Sequence, residues 1–172
     1  MPDREQQFKE LFLSEYNRMY KAAYILLGDD DEAKDLMQDA LIQALDKIQT
    51  FKYFGKGSLY AWICRIAINM ALNQLKKRRR WRTVPLDTGQ DDIPEPTEEE
   101  MEAIPQEKLL EWIAGLTDLR RMVFNLYCID GYPHREIGEM LGISEKGSAS
   151  ILAKTRKQLK EEIKRYLKET EP

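Results

Sequence analysis

The chain has 172 residues, room for one or two small domains, with 42% apolar and 33% charged residues and a formal net charge of -3. That balance fits a globular protein with a densely charged surface and excludes a uniformly basic DNA-binding domain. No uncharged apolar run reaches about 18 residues and the start, MPDREQQFKE, lacks the apolar core of a signal peptide, so no membrane insertion and a cytoplasmic location are expected.

Phe8, Leu11, Phe12, Tyr16, Met19, Tyr20, Ala23, Tyr24 and Leu27 recur at helical spacing, which predicts a first helix ended by Gly28. Asp29, Asp30 and Asp31 supply cap candidates and negative charge for a second helix. Its apolar stripe is Ala33, Leu36, Met37, Ala40, Leu41, Ala44, Leu45 and Ile48, and Asp35, Gln38, Asp39 and Gln43 form its exposed face. The loop Thr50 to Gly57 is rich in aromatics and glycine, and Ser58 is the expected N-cap of a third, longer helix reaching Arg82. Leu59, Trp62, Ile63, Ile66, Ala67 and Met70 make its buried face, with Cys64 in the same apolar pattern. Arg65, Asn69, Asn73, Lys76 and Arg80, at steps of three or four, make a second face of amides and cations. Such a helix suits a course along nucleic acid, and Lys76, Lys77, Arg78, Arg79 and Arg80 are the densest positive run in the chain.

From Thr83 to Gln106 the periodicity stops. Pro85, Pro94, Pro96 and Pro105, together with Glu98, Glu99 and Glu100, predict a flexible acidic linker, on which Val84, Leu86, Ile93, Met101 and Ile104 are candidates for docking on a partner. A second domain follows over residues 107–172, after a first domain over 1–82. Leu109, Leu110, Ile113 and Leu116 mark a short helix. Thr117 caps another, with Leu119, Met122, Val123, Leu126 and Tyr127 facing inward and Cys128 nearby. Both cysteines are expected to be buried and reduced. After the turn at Asp130 and Gly131, helices from His134 and from Glu145 flank Gly142, Ile143 and Ser144. A small residue at 138, a turn glycine four positions on and a capped following helix predict a helix-turn-helix. The fold class is thus all-α, with two small helical domains joined by the linker.

The helix-turn-helix would offer Lys146, Ser148, Ala149, Ser150 and Lys154 to a major groove, beside the cap Ser144, with Arg135, Arg156 and Lys157 on phosphates. In the loop, Phe51, Tyr53 and Phe54 with Lys52 and Lys56 combine stacking faces with cations, the equipment for unpaired bases. Phe51 and Phe54 serve equally well as closures of the bundle core. The single histidine, His134, has no acidic or cysteine partner at ligand spacing, so no enzyme, metal or cofactor is expected.

Three stretches, in this order, resemble the extracytoplasmic-function sigma factors, the minimal specificity subunits of bacterial RNA polymerase. EAKDLMQDALIQAL (Glu32 to Leu45) is similar to the family's polymerase-binding helix, written around D-L-x-Q-E-x-F. GSLYAWICRIAINMALNQLKKRRR (Gly57 to Arg80) is similar to the promoter -10 helix, W-L-x-x-I-A-x-N-x-x-x-D, with Trp62, Ile66, Ala67 and Asn69 matching and Asn73 standing for its aspartate. Leu116 to Leu159 is similar to the -35-binding domain, with Lys146 and Gly147 in place of the usual Gly-Thr pair. The resemblance implies that Asp35, Leu36, Gln38 and Asp39 dock on core polymerase. Arg65, Asn69, Lys76 and Lys77 would track the -10 element, and the loop from Thr50 would accept a base flipped from the non-template strand. Polymerase core, promoter DNA and an anti-sigma factor are the implied partners. A stand-alone helix-turn-helix regulator on duplex DNA and a purely protein-binding bundle are the other readings. The acidic net charge and the aromatic loop favour the first, and a stand-alone regulator would call for a dimerisation seam that the stripes do not supply.

Overall fold

The computed structural model describes residues 4–55, 57–77 and 93–171, and its chain divides into two compact units, Met1–Arg79 and Arg80–Pro172. All regular structure among the described residues is helical.

In the first unit α1 (Arg4–Leu27), α2 (Asp30–Asp46) and α3 (Ser58–Lys77) pack pairwise against one another. Gly28 takes φ 71° and donates its N–H to the Tyr24 carbonyl at 2.7 Å, ending α1 in a conformation that costs a β-carbon-bearing residue about 1 kcal/mol or more. One residue later the Asp29 carboxylate accepts the Glu32 N–H at 2.9 Å, so a two-residue turn both stops one helix and caps the next. Ala33, Ala40 and Ala44 are fully buried on α2, and their small side chains bring the neighbouring helices close. Phe12, Met19 and Leu27 of α1 and Ile63, Ala71 and Leu75 of α3 fill the space around them. Arg18 of α1 lies over the Tyr60 ring of α3, 3.8 Å from its centroid, a further tie between the two helices.

The second unit holds α4 (Glu98–Glu102), α5 (Gln106–Ala114), α6 (Asp118–Phe124), α7 (His134–Leu141) and α8 (Glu145–Thr170). Residues 93–106, expected to be flexible linker, instead carry structure. Thr97 Oγ1 accepts the Glu100 N–H while the Glu100 carboxylate accepts the Thr97 N–H, a reciprocal cap that makes α4 from the acidic cluster. Ile104, expected to await a partner, is buried in this unit. Between α5 and α6 sits a feature that polar composition concealed: Arg121 is buried, donates to the Leu116 carbonyl at 2.7 Å and the Ala114 carbonyl at 3.3 Å, and pairs with buried Asp118 at 2.7 Å. The guanidinium thereby satisfies carbonyls at the end of α5 that have no helical partner.

After α6 the backbone widens into a π segment, Asn125–Ile129, in which the Asp130 N–H reaches the Asn125 carbonyl. The extra residue per turn rotates the chain, so Tyr127 and Cys128, both expected inside, are exposed. Gly142 ends α7 at φ 70°, and a β-carbon on Gly138 would lie 2.7 Å from the Ile143 carbonyl oxygen, so only glycine permits this approach of α7 to the turn. Ser144 caps α8 by accepting the Gly147 N–H at 2.9 Å. Ile137 and Leu141 of α7 then pack with Ile151 and Leu152 of α8 over Met122, Val123 and Leu126.

Removing the guanidinium takes the cationic partner at 2.7 Å away from the buried Asp118 carboxylate. Arg121→Ala is therefore expected to destabilise the second unit by roughly 3–5 kcal/mol, read as a lowered urea midpoint by circular dichroism.

Candidate nucleic-acid interface

The aromatic loop separates its rings by environment. Phe51 lies 5.2 Å from the Trp62 ring at 43°, half-buried, and closes the end of the bundle. Tyr53 and Phe54 are 69% and 84% exposed, so neither ring has a place in the core. Gly55 at φ 118° and Gly57 at φ 89° make the turn that holds them out. Ser58, expected as a cap, is instead the first helical residue, and its hydroxyl accepts the Phe54 N–H at 3.3 Å, tying the loop to α3.

On α3 the polar stripe is where periodicity put it. Arg65, Asn69, Asn73, Lys76 and Lys77 are all exposed, on the face opposite buried Leu59, Ile63, Ile66, Ala67 and Leu75. Trp62 and Met70 lie at the border of the two faces, half-buried rather than in the core. Lys56, Arg78 and Arg80, also expected at this surface, lie outside the described residues. Two exposed rings thus stand at the start of a helix whose outer face offers Arg65, then the amides of Asn69 and Asn73, and then the cations of Lys76 and Lys77. This order suits contact with unpaired bases first and phosphates after.

On α2, Asp35, Gln38 and Asp39 are exposed as expected. Leu36 is 3% exposed and belongs to the bundle core, so it is corrected from a docking residue to a packing one. Ile42 takes its place on the surface at 59% exposure. It follows Asp35, Gln38 and Asp39 at helical spacing and stands off the apolar stripe, a signal already present in the sequence.

In the helix-turn-helix, Lys146 and Ala149 are exposed, and Ser150 and Lys154 half-buried. Arg135 is exposed and lies 3.6 Å from Glu139. Arg156, also exposed, lies 3.4 Å from Glu95. Ser148 is fully buried, its hydroxyl 2.9 Å from His134 Nδ1, because it shares a stripe with Ile151, Leu152 and Thr155 that faces the core. Ser148 is therefore corrected from a base contact to a link between α7 and α8. His134 itself stacks on Tyr127 with ring centroids 4.3 Å apart. Desolvation pushes the Cys128 thiol pKa up against the opposing charge of Arg156, which keeps it a weak nucleophile. Among the described residues no group of three His, Cys, Asp or Glu is placed to hold a metal ion, and no helix is long and apolar enough to cross a membrane.

Residues 11–81 match the family model of sigma-70 region 2, and residues 106–159 that of sigma-70 region 4, together well over half of the chain. The ECF RNA polymerase sigma factor SigE of Mycolicibacterium smegmatis is 27% identical over 94% of this chain, which spans 63% of that protein's length. SigX of Bacillus subtilis, another ECF RNA polymerase sigma factor, is 26% identical over 82% of this chain and 75% of its own. In fold, the chain is similar to the sigma factor RpoE of Bartonella quintana, solved in complex with the anti-sigma factor NepR. The TM-score is 0.56 and the identity 21%, over 92% of this chain and 97% of that one. The region 2 match covers the bundle with its aromatic loop and polar stripe and the region 4 match covers the helix-turn-helix, and on both counts the chain belongs to the extracytoplasmic-function sigma factors of bacterial RNA polymerase.

Proposed function

We propose that this chain directs core RNA polymerase to promoters by gripping the enzyme through α2, holding an opened -10 element with the aromatic loop and α3, and binding the -35 duplex with α7 and α8. The carrying observation is the exposure of Tyr53 and Phe54 on a glycine-shaped turn. Each base stacked on an aromatic ring recovers about 1–3 kcal/mol, and taking a base out of the duplex costs a few. Two rings are thus of the right size to offset one extruded base, while cations at Lys76 and Lys77 hold the adjoining backbone. The role of the protein is binding throughout, with no reaction of its own.

The weak overall charge supports a division of labour. At a net -3 the chain gains little from the phosphate backbone by itself, so tethering to polymerase supplies the local concentration that its contacts need. Asp35, Gln38, Asp39 and Ile42 form an acidic patch with an apolar residue at one end, a fit for a basic helical surface on the enzyme. An anti-sigma factor is a further proposed partner, in keeping with the similar structure, in which RpoE is in complex with the anti-sigma factor NepR.

Run-off transcription with purified core polymerase is the direct test. Specific initiation is expected, and a chain that neither binds core nor starts any transcript defeats this proposal, in favour of a stand-alone regulator. The double substitution Tyr53→Ala, Phe54→Ala is expected to change stability by no more than ~0.5 kcal/mol and to leave core binding intact. Permanganate reactivity of promoter thymines, the mark of open complexes, should nevertheless disappear. Ile42→Ala should weaken core binding by about 1 kcal/mol or more in a competition assay, with an unchanged melting temperature.

A further inference from the structure

The carboxylate of Glu95, which has no part in the function proposed above, meets the DNA-binding helix α8 in the second unit. Ala149, Ala153, Arg156 and Lys160 follow one another along α8 at steps of four, three and four, so they share one face of the helix. Ala149, Ala153 and Arg156 are exposed, and this face begins where the helix-turn-helix would enter a groove. Its far end is occupied by the chain itself. Glu95 Oε1 lies 2.9 Å from Lys160 Nζ and 3.4 Å from Arg156 Nη2, and Lys160 also donates to the Ile93 carbonyl at 3.3 Å. One anionic oxygen held between an arginine and a lysine is the arrangement that a DNA phosphate makes with the same two side chains.

The segment that delivers this carboxylate is fixed on both sides. Pro94 and Pro96 flank Glu95 and narrow its backbone freedom, the reciprocal cap of Thr97 and Glu100 follows directly, and Ile104 anchors the stretch in the core of the unit. The contact is nevertheless open to exchange. The Lys160 side chain is only 11% exposed, whereas those of Glu95 and Arg156 are 64% and 48% exposed, so an incoming anion has a path to displace the carboxylate.

We propose that Glu95 is an intramolecular phosphate surrogate that masks Arg156 and Lys160 on the DNA-binding helix and has to leave before this end of the helix can grip duplex DNA. This inference rests on the reading of α7 and α8 as the duplex-binding element. An exposed ion pair shifts an equilibrium by about fivefold at most, so the mask lowers binding to stray DNA without preventing engagement once polymerase holds the chain nearby.

The test is fluorescence anisotropy of the full chain on a short mixed-sequence duplex at low salt, since phosphate contacts carry no sequence information. Glu95→Gln is expected to tighten binding about two- to fivefold, with the gain fading as salt is raised. In an Arg156→Ala, Lys160→Ala background the same substitution is expected to change nothing. A gain that persists in that background would be general charge repulsion and would overturn the mask. No gain from Glu95→Gln, with binding weakened by Arg156→Ala and Lys160→Ala, would also overturn it while leaving the duplex-binding reading intact. If all three substitutions leave binding at the wild-type level, this face does not meet DNA and the duplex-binding reading of it falls as well.

Discussion

A helix of twenty residues, α3, has to meet two environments along its whole length, and this constraint shapes the first unit. Ile63, Ala71 and Leu75 are almost wholly enclosed by α1 and α2, so the rotation of α3 about its axis is fixed by the core. A rotation of one residue, about 100°, would bring Arg65 and Asn69 into apolar packing at a cost of several kcal/mol each. The core therefore aims the polar stripe without any contact from the other side. The loop is aimed in the same way, through the Phe51–Trp62 pair on one side and the Phe54–Ser58 hydrogen bond on the other.

The second unit solves the same problem with a different material. Apart from α8 its helices, among the described residues, are short, and α5 has no fully buried residue, so apolar packing alone holds them less firmly. Arg121 makes up part of the difference by tying the end of α5 to the first turn of α6. Ser148 with His134 ties the start of α7 to α8. Both links set angles between helices, on which the presentation of Lys146 and Ala149 depends.

The helix stripes and the stops at Gly28 and Gly142 were legible in the sequence because they rest on local spacing and local backbone chemistry. What it hid was the environment of individual polar residues. Arg121 and Ser148 have the composition of a surface, and only the packing of neighbouring helices shows that they are interior. Leu36 shows the converse, an apolar residue within a resemblance-derived docking motif that the bundle needs for itself. The π segment departs from a pattern of 3.6 residues per turn, and so Tyr127, on the inner face by that pattern, is exposed. Glu95 was unreadable for another reason. Its partners stand more than sixty positions away in the chain, and an acidic run flanked by prolines looks the same whether it docks or drifts.

The tight turn of Gly28 and Asp29 has a consequence for how the protein comes into being. It joins two long helices that pack on one another, so the earliest contacts close a loop of almost no length and the entropic barrier to forming them is small. Helical proteins with such local contacts fold in microseconds to milliseconds, whereas synthesis adds roughly 5–20 residues per second. Once α3 has left the ribosome, the bundle is complete before the helix-turn-helix exists. The half of the chain that would engage polymerase is thus folded first, and the nascent protein passes through a stage in which one function is present without the other.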